Sequence, residues 1–221
     1  MMHHINFENK TVLDLGCNYG FFSFELSRVA KCVVGVDSDS HAIQENQQRC
    51  ESLKISNIEF RNDLISSNYI NSLPKSEITI FLSVLHHIIT ASGVYDSNES
   101  ANSGKEIAIE ILRSISERTD VLIFEIGQSN ESHHWAKLLP DMSKDQGKWI
   151  KEELLYPAGF SNVEVYNPLE GTGVKSSLLR NLYFSSYNDF LSGSSLFSRI
   201  FRRLTNYDDR DGRFLFIARK D

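Results

Sequence analysis

Three carboxylates and a pair of glycines stand where apolar runs end in the first third of the chain, and their types suit a ligand that carries a ribose and a base. The stretch "TVLDLGCNYGFF" at 11–22 runs from a strand-like segment through Asp14 into a bend flanked by Gly16 and Gly20. Such glycines let the backbone approach a ligand closely and take conformations that a Cβ obstructs, and a helix starting near Gly20 points its free N–H groups at the same place. "VVGVDSDS" at 33–40 ends a second run in Asp37, where a carboxylate can accept from both hydroxyls of a ribose. "IEFRNDL" at 58–64 ends a third in Asp63, placed to accept from an exocyclic amine. Each acid also has a purely structural use, Asp37 as a helix cap and Asp63 as a turn residue. Further on, His86 and His87 follow a fourth apolar run and supply side chains that titrate near neutrality, while Glu125 ends a fifth.

Those residues need elements to hold them. Apolar, β-branched runs at Thr11–Leu15, Cys32–Val36, Ile78–Leu82 and Val121–Ile126 are short enough for strands buried on both faces. Between them the spacing is helical. Ile43, Cys50 and Leu53 fall on one face of a helix that Ser38 or Asp39 caps, and Ala108, Ile111, Leu112 and Ile115 share a face within Lys105–Glu117. The alternation predicts an α/β fold, a Rossmann-like doubly wound sheet with right-handed crossovers, whose ligand sits beyond the carboxyl ends of the strands. The polar, Gly/Ser-rich stretch "ASGVYDSNESANSG" at 91–104 reads as a surface loop that closes over an acceptor.

The C-terminal part is less regular. "NVEVYN" at 162–167 and "RFLFIARK" at 213–220 read as the last two strands, an antiparallel pair, within a single domain spanning 1–221. They leave a long insert at 168–212, and "RNLYFSS" at 180–186 is an alternative closing strand. Between 175 and 203, Lys175, Arg180, Arg199, Arg202 and Arg203 oppose Asp189 alone, a local charge of +4. "LFSRIFRRL" at 196–204 places its apolar residues on one face and its arginines on the other, which fits docking on the core or peripheral contact with anionic lipid.

Bulk properties bound the function. With 221 residues, 41% of them hydrophobic and 24% charged, the composition is globular, and a net charge of −6 disfavours nucleic acid as a partner. No apolar run reaches the roughly 18 residues of a membrane span, and the N-terminus lacks a signal-peptide pattern, so a cytoplasmic location is expected. Cys17, Cys32 and Cys50 have no CxxC spacing, and adjacent His133 and His134 cannot both face one ion, so no metal is expected.

Taken in order, "VLDLGCNYG", "VVGVD", "FRNDL" and "ITIFLSVLHHI" resemble the successive motifs of the class I S-adenosylmethionine-dependent methyltransferases across residues 10–127. The resemblance implies that S-adenosyl-L-methionine is the cofactor. Its methionine end would be held by Asp14 and the Gly16–Gly20 loop with Cys17 and Asn18, its ribose by Asp37 with Ser38, and its adenine by Asp63 with Leu64. Ser83 joins the cofactor-binding set. Asn18 replaces the middle glycine of the family pattern, and asparagine tolerates the left-handed region better than other side chains.

A narrower resemblance joins "SVLHHIITASG" and "VLIFEIGQSNESHHWAKLLP" to the methyltransferase domain of the bifunctional kinase-methyltransferases that cap bacterial O-antigen chains. It implies O-methylation of a glycan end or phosphoglycan, or of a related small and anionic molecule. An acceptor hydroxyl must lose its proton, so His86, His87 and Glu125 are the catalytic candidates, whereas a phosphate dianion is already nucleophilic. Trp135, beside His133 and His134, and Arg180 are the candidates for holding the acceptor. Two other classes stand beside this one. An RNA methyltransferase of the tRNA wobble-uridine type shares the aspartate-glycine-cysteine-asparagine loop, and a cofactor-binding interaction protein would use the same site without chemistry.

Overall fold

Short β-branched runs and amphipathic segments alternate in the chain because a parallel sheet needs apolar side chains on both faces and helices to cover them. The computed structural model describes residues 5–92, 100–126, 146–166 and 214–220. Its elements are β1 (Thr11–Leu15), α1 (Phe21–Leu26), β2 (Cys32–Asp37), α2 (Ser40–Leu53), β3 (Ile58–Asn62), α3 (Ser67–Ser72), β4 (Ser76–Leu82), α4 (Leu85–Ala91), α5 (Ser100–Ser116), β5 (Thr119–Ile126) and α6 (Gln146–Ile150). A π-helical turn at Lys151–Leu155, β6 (Asn162–Tyr166) and β7 (Phe214–Arg219) follow. The seven strands form one sheet in the order β3-β2-β1-β4-β5-β7-β6. Strands β1 to β5 pair in parallel, and β7 runs antiparallel to both β5 and β6. The order reverses between β1 and β4, which is where a doubly wound sheet opens a crevice at its carboxyl edge.

Successive strand residues face opposite sides, and the core divides accordingly. Leu13, Leu15, Phe81, Phe124 and Phe216 pack on one face with Ala108, Ile111, Leu112 and Ile115 of α5. Val12, Ile78, Ile80, Ile123 and Leu215 pack on the other with Leu26 and Phe7. Phe81, Phe124 and Phe216 are in register on β4, β5 and β7, with ring centroids 5.9 and 5.8 Å apart. This buried row ties the antiparallel edge to the parallel half, and truncating one of its rings to alanine costs about 3–5 kcal/mol in typical cores.

Several expectations change. Leu53 is 57% exposed, and α2 instead buries Ala42, Ile43 and Asn46, because Leu53 lies in its last turn beside the left-handed Lys54. The expected loop at 91–104 is shortened from both ends: α4 runs through Ala91, α5 begins at Ser100, and Gly104 is buried within α5. Phe214–Arg219 is the strand that joins β5 to β6. The insert at 168–212, including residues 180–186 and 196–204, lies outside the described residues. Among the described residues, no helix is long and apolar enough to cross a membrane.

Candidate functional site

The loops that leave β1, β2, β3 and β4 meet at the carboxyl edge of the sheet around a cavity of about 650 Å³. The bend after β1 forms its floor. Gly16, Asn18 and Gly20 all have positive φ, at 79°, 47° and 71°. A Cβ on Gly16 would lie 2.1 Å from Cγ2 of Val84, so glycine is required there for space as well as conformation. The bend is anchored to β2, since the N–H groups of Gly16 and Cys17 both donate to the Val36 carbonyl, at 2.8 and 3.0 Å. The Asn46 side chain, buried on α2, donates to the Asn18 carbonyl at 2.7 Å.

Asp37 completes this arrangement. One carboxylate oxygen accepts from the Asn18 N–H at 2.7 Å and the other from the Asp39 N–H at 2.9 Å. The capping alternative for Asp37 is displaced by its neighbour: Asp39 caps α2, accepting from His41 and Ala42 N–H at 3.0 and 3.2 Å. A carboxylate has about four lone-pair directions, so two backbone donors orient Asp37 while capacity remains for a ligand diol in the cavity it lines.

The other nominated residues divide. Gly16, Asn18, Asp37, Ser38, Leu64, Ser83 and His87 line the cavity. Asp14, Cys17 and Gly20 lie beneath it and shape the bend. Asp14 is 2% exposed and accepts from the Ser23 hydroxyl at 2.6 Å; burial raises its pKa to about 6 against that hydrogen bond, and the Asp37 charge adds to the rise. Burial likewise pushes the Cys17 thiol up. Asp63 is exposed and is not among the lining residues; its backbone N–H donates to the Asp37 carbonyl at 3.1 Å, and Leu64, Ile65 and Ser66 supply the wall instead.

Of the two histidines only His87 reaches the cavity. His86 is 5% exposed on the inner side of α4, with ring centroids 4.1 Å apart, because neighbouring helical residues point about 100° from one another. Glu125 is 2% exposed and accepts from the hydroxyl of Ser83, a non-glycine residue at φ 60°. Trp135, His133, His134 and Arg180 lie outside the described residues. Sequence reasoning missed Asn46, Ile65, Val84 and Ile88. Asn46 was detectable as an amide one turn after Ile43 on the apolar face of α2, where a polar group needs a partner.

A family model described as a methyltransferase domain matches residues 6–156, which contain every residue that lines the cavity. The chain belongs to the methyltransferase-domain family. It is 32% identical over 136 residues to the O-antigen chain terminator bifunctional methyltransferase/kinase WbdD of Escherichia coli, a match covering 59% of this chain and 17% of WbdD. The methyltransferase domain described here thus spans a small part of that relative. A crystal structure of monomeric WbdD superposes with a TM-score of 0.55 and 26% identity over 71% of this chain and 33% of that one. The [4+2]-cyclase SpnF shares the fold, with a TM-score of 0.52 over 96% of this chain and 76% of its own at 14% identity. A fold shared with a cyclase does not by itself specify the reaction.

Methyltransferase domains generally use S-adenosylmethionine, and the residues present fit it. Asp37 offers oriented lone pairs to a ribose diol. Leu64, Ile65, Val84 and Ile88 offer apolar surface to a purine, and Gly16 and Asn18 bring the backbone of the bend to the cavity wall.

Proposed function

We propose that this methyltransferase domain transfers the methyl group of S-adenosylmethionine to an oxygen at a glycan end, or on a related small and anionic molecule. The observation that carries the reading is that the matched methyltransferase segment and the cavity at the strand reversal coincide, in a chain whose similarity extends to an O-antigen chain terminator. When bound, S-adenosylmethionine supplies an electrophilic methyl on a sulfonium. The chain's own residues do the rest. Asp37 fixes the ribose, the Gly16–Gly20 bend excludes water from the amino acid end, and Leu64 with Ile65 and Ile88 covers the base. His87, exposed on the cavity wall, is placed to contact an acceptor that enters from solvent. The cations between 175 and 203 support an anionic acceptor, because arginine grips phosphate or carboxylate through two donors at once.

The test is methyl incorporation from labelled S-adenosylmethionine into glycan, lipid and RNA fractions of cells. Label in the glycan fraction or its small precursors is the expected result. Label confined to RNA overturns the acceptor assignment, and tight cofactor binding without label in any fraction overturns catalysis.

A further inference from the structure

Ser83 combines three observations at the edge of the cavity. It lines the cavity directly after β4, it holds a left-handed backbone at φ 60° without being glycine, and its hydroxyl donates to Oε2 of Glu125 at 2.5 Å. Its N–H also donates to the Glu125 carbonyl at 3.2 Å, so the end of β5 grips Ser83 through backbone and side chain together. Non-glycine residues persist in the left-handed region where the surroundings over-determine them, and such positions concentrate at functional sites. The Glu125 carboxylate is 2% exposed and is not among the lining residues. The Ser83 hydroxyl links it to the cavity.

We infer that Ser83 and Glu125 form a proton relay that deprotonates an acceptor hydroxyl, an inference that rests on the methyl-transfer reading above. A serine hydroxyl has one proton and two lone pairs. With the proton turned toward Glu125, the oxygen offers lone pairs as the acceptor of an incoming O–H. In the step, the acceptor's O–H bond breaks and its proton passes to Ser83 Oγ, while the proton already on Ser83 passes to Glu125 Oε2. Ser83 ends as it began, and Glu125 becomes a neutral carboxylic acid. The electron pair released on the acceptor oxygen forms the bond to the methyl carbon as the carbon–sulfur pair withdraws to sulfur. The negative charge consumed at Glu125 and the positive charge consumed at sulfur balance. Glu125 then returns its proton to solvent through Ser83. This assigns the base to a carboxylate two strands' ends away from the bend, and leaves His87 as an acceptor contact.

The test uses the full chain, labelled S-adenosylmethionine and the cell glycan fraction as acceptor, with the rate followed against pH. Glu125→Gln keeps the side chain's size and an oxygen for Ser83 to donate to, but cannot take a proton. Ser83→Gly keeps the positive φ at no steric cost while removing the hydroxyl. The expected result is a loss of about 100-fold or more in kcat for both, the scale of general-base catalysis. Titration of Glu125→Gln with S-adenosylhomocysteine should show unchanged affinity, since that carboxylate does not line the cavity, and both variants should melt cooperatively. The wild-type rate should fall at low pH as the carboxylate protonates, and Glu125→Gln should lose that decline. The relay is overturned if both variants turn over like wild type, if His87→Gln alone removes the low-pH decline, or if Ser83→Gly weakens S-adenosylhomocysteine with kcat intact. Absence of label from the glycan fraction with wild type overturns the glycan-acceptor reading on which the relay rests, whereas label with wild type and full turnover by both variants overturns the relay alone, which separates the two failures.

Discussion

Replacing Gly16 with alanine tests the construction of the site at its tightest point. The residue sits at φ 79°, where a Cβ costs roughly 1–2 kcal/mol. That Cβ would also lie 2.1 Å from Cγ2 of Val84 and 3.3 Å from its Cβ and Cγ1. Val84 is β-branched and partly packed on the core, so it cannot simply swing away, and overpacking of this kind costs about 1–3 kcal/mol more. The two contributions bring the loss to a few kcal/mol, which for a chain of this size lowers the melting temperature by roughly 10 °C. Val84 lines the cavity, so its displacement should also weaken S-adenosylhomocysteine. The assay is a double-mutant cycle of thermal unfolding with Gly16→Ala, Val84→Ala and the pair. Removing the Val84 methyl groups relieves the clash but not the backbone cost, so the pair should be more stable than the sum of the singles by about 1–3 kcal/mol. A Gly16→Ala protein that melts with wild type, or singles that add within about 0.5 kcal/mol, would refute the reasoning.

Asp37→Ala should weaken S-adenosylhomocysteine by about 100-fold in calorimetric titration, since hydrogen bonds from two ribose hydroxyls to a charged acceptor are together worth about 3 kcal/mol. Asn46→Ala removes the buried donor that holds the Asn18 carbonyl, and because that carbonyl is only partly buried and water can replace the amide, it should cost about 1 kcal/mol in chemical denaturation. Asp14→Asn should remove a pH dependence. The folded-state pKa of Asp14 is raised to about 6 by burial, so its carboxyl favours folding below the ordinary carboxylate pKa, and that contribution is lost as pH rises through about 6. Melts of both proteins between pH 4 and 8 should show wild type gaining on Asp14→Asn as pH falls, by an amount on the order of 3 kcal/mol over the full window. A difference that is flat across pH 4–8 would place the raised pKa elsewhere.

The sheet and the bend were legible in the sequence because both are local. A run such as Val12–Leu15 can be buried on both faces only as an inner strand, and Gly16 and Gly20 mark backbone that a side chain hinders. Asp37 was visible for the same reason, as the acid that ends β2. Orientation was not local. Adjacent His86 and His87 carry the same chemical signal, and the packing of α4 alone turned one inward and left the other on the cavity. Asp37 and Asp39 are both able caps, and the choice fell to Asp39 because the Asn18 N–H draws on Asp37. Asp14 reads like a ligand contact but is turned to Ser23 beneath the bend. The Asn46 bond to Asn18 spans 28 residues and the Ser83 bond to Glu125 spans 42, so neither pattern exists until β1, α2, β4 and β5 are packed. Periodicity and turn chemistry determine which elements form and where they end. Which side chain of a neighbouring pair meets the ligand depends on rotations that only the assembled sheet and its helices impose.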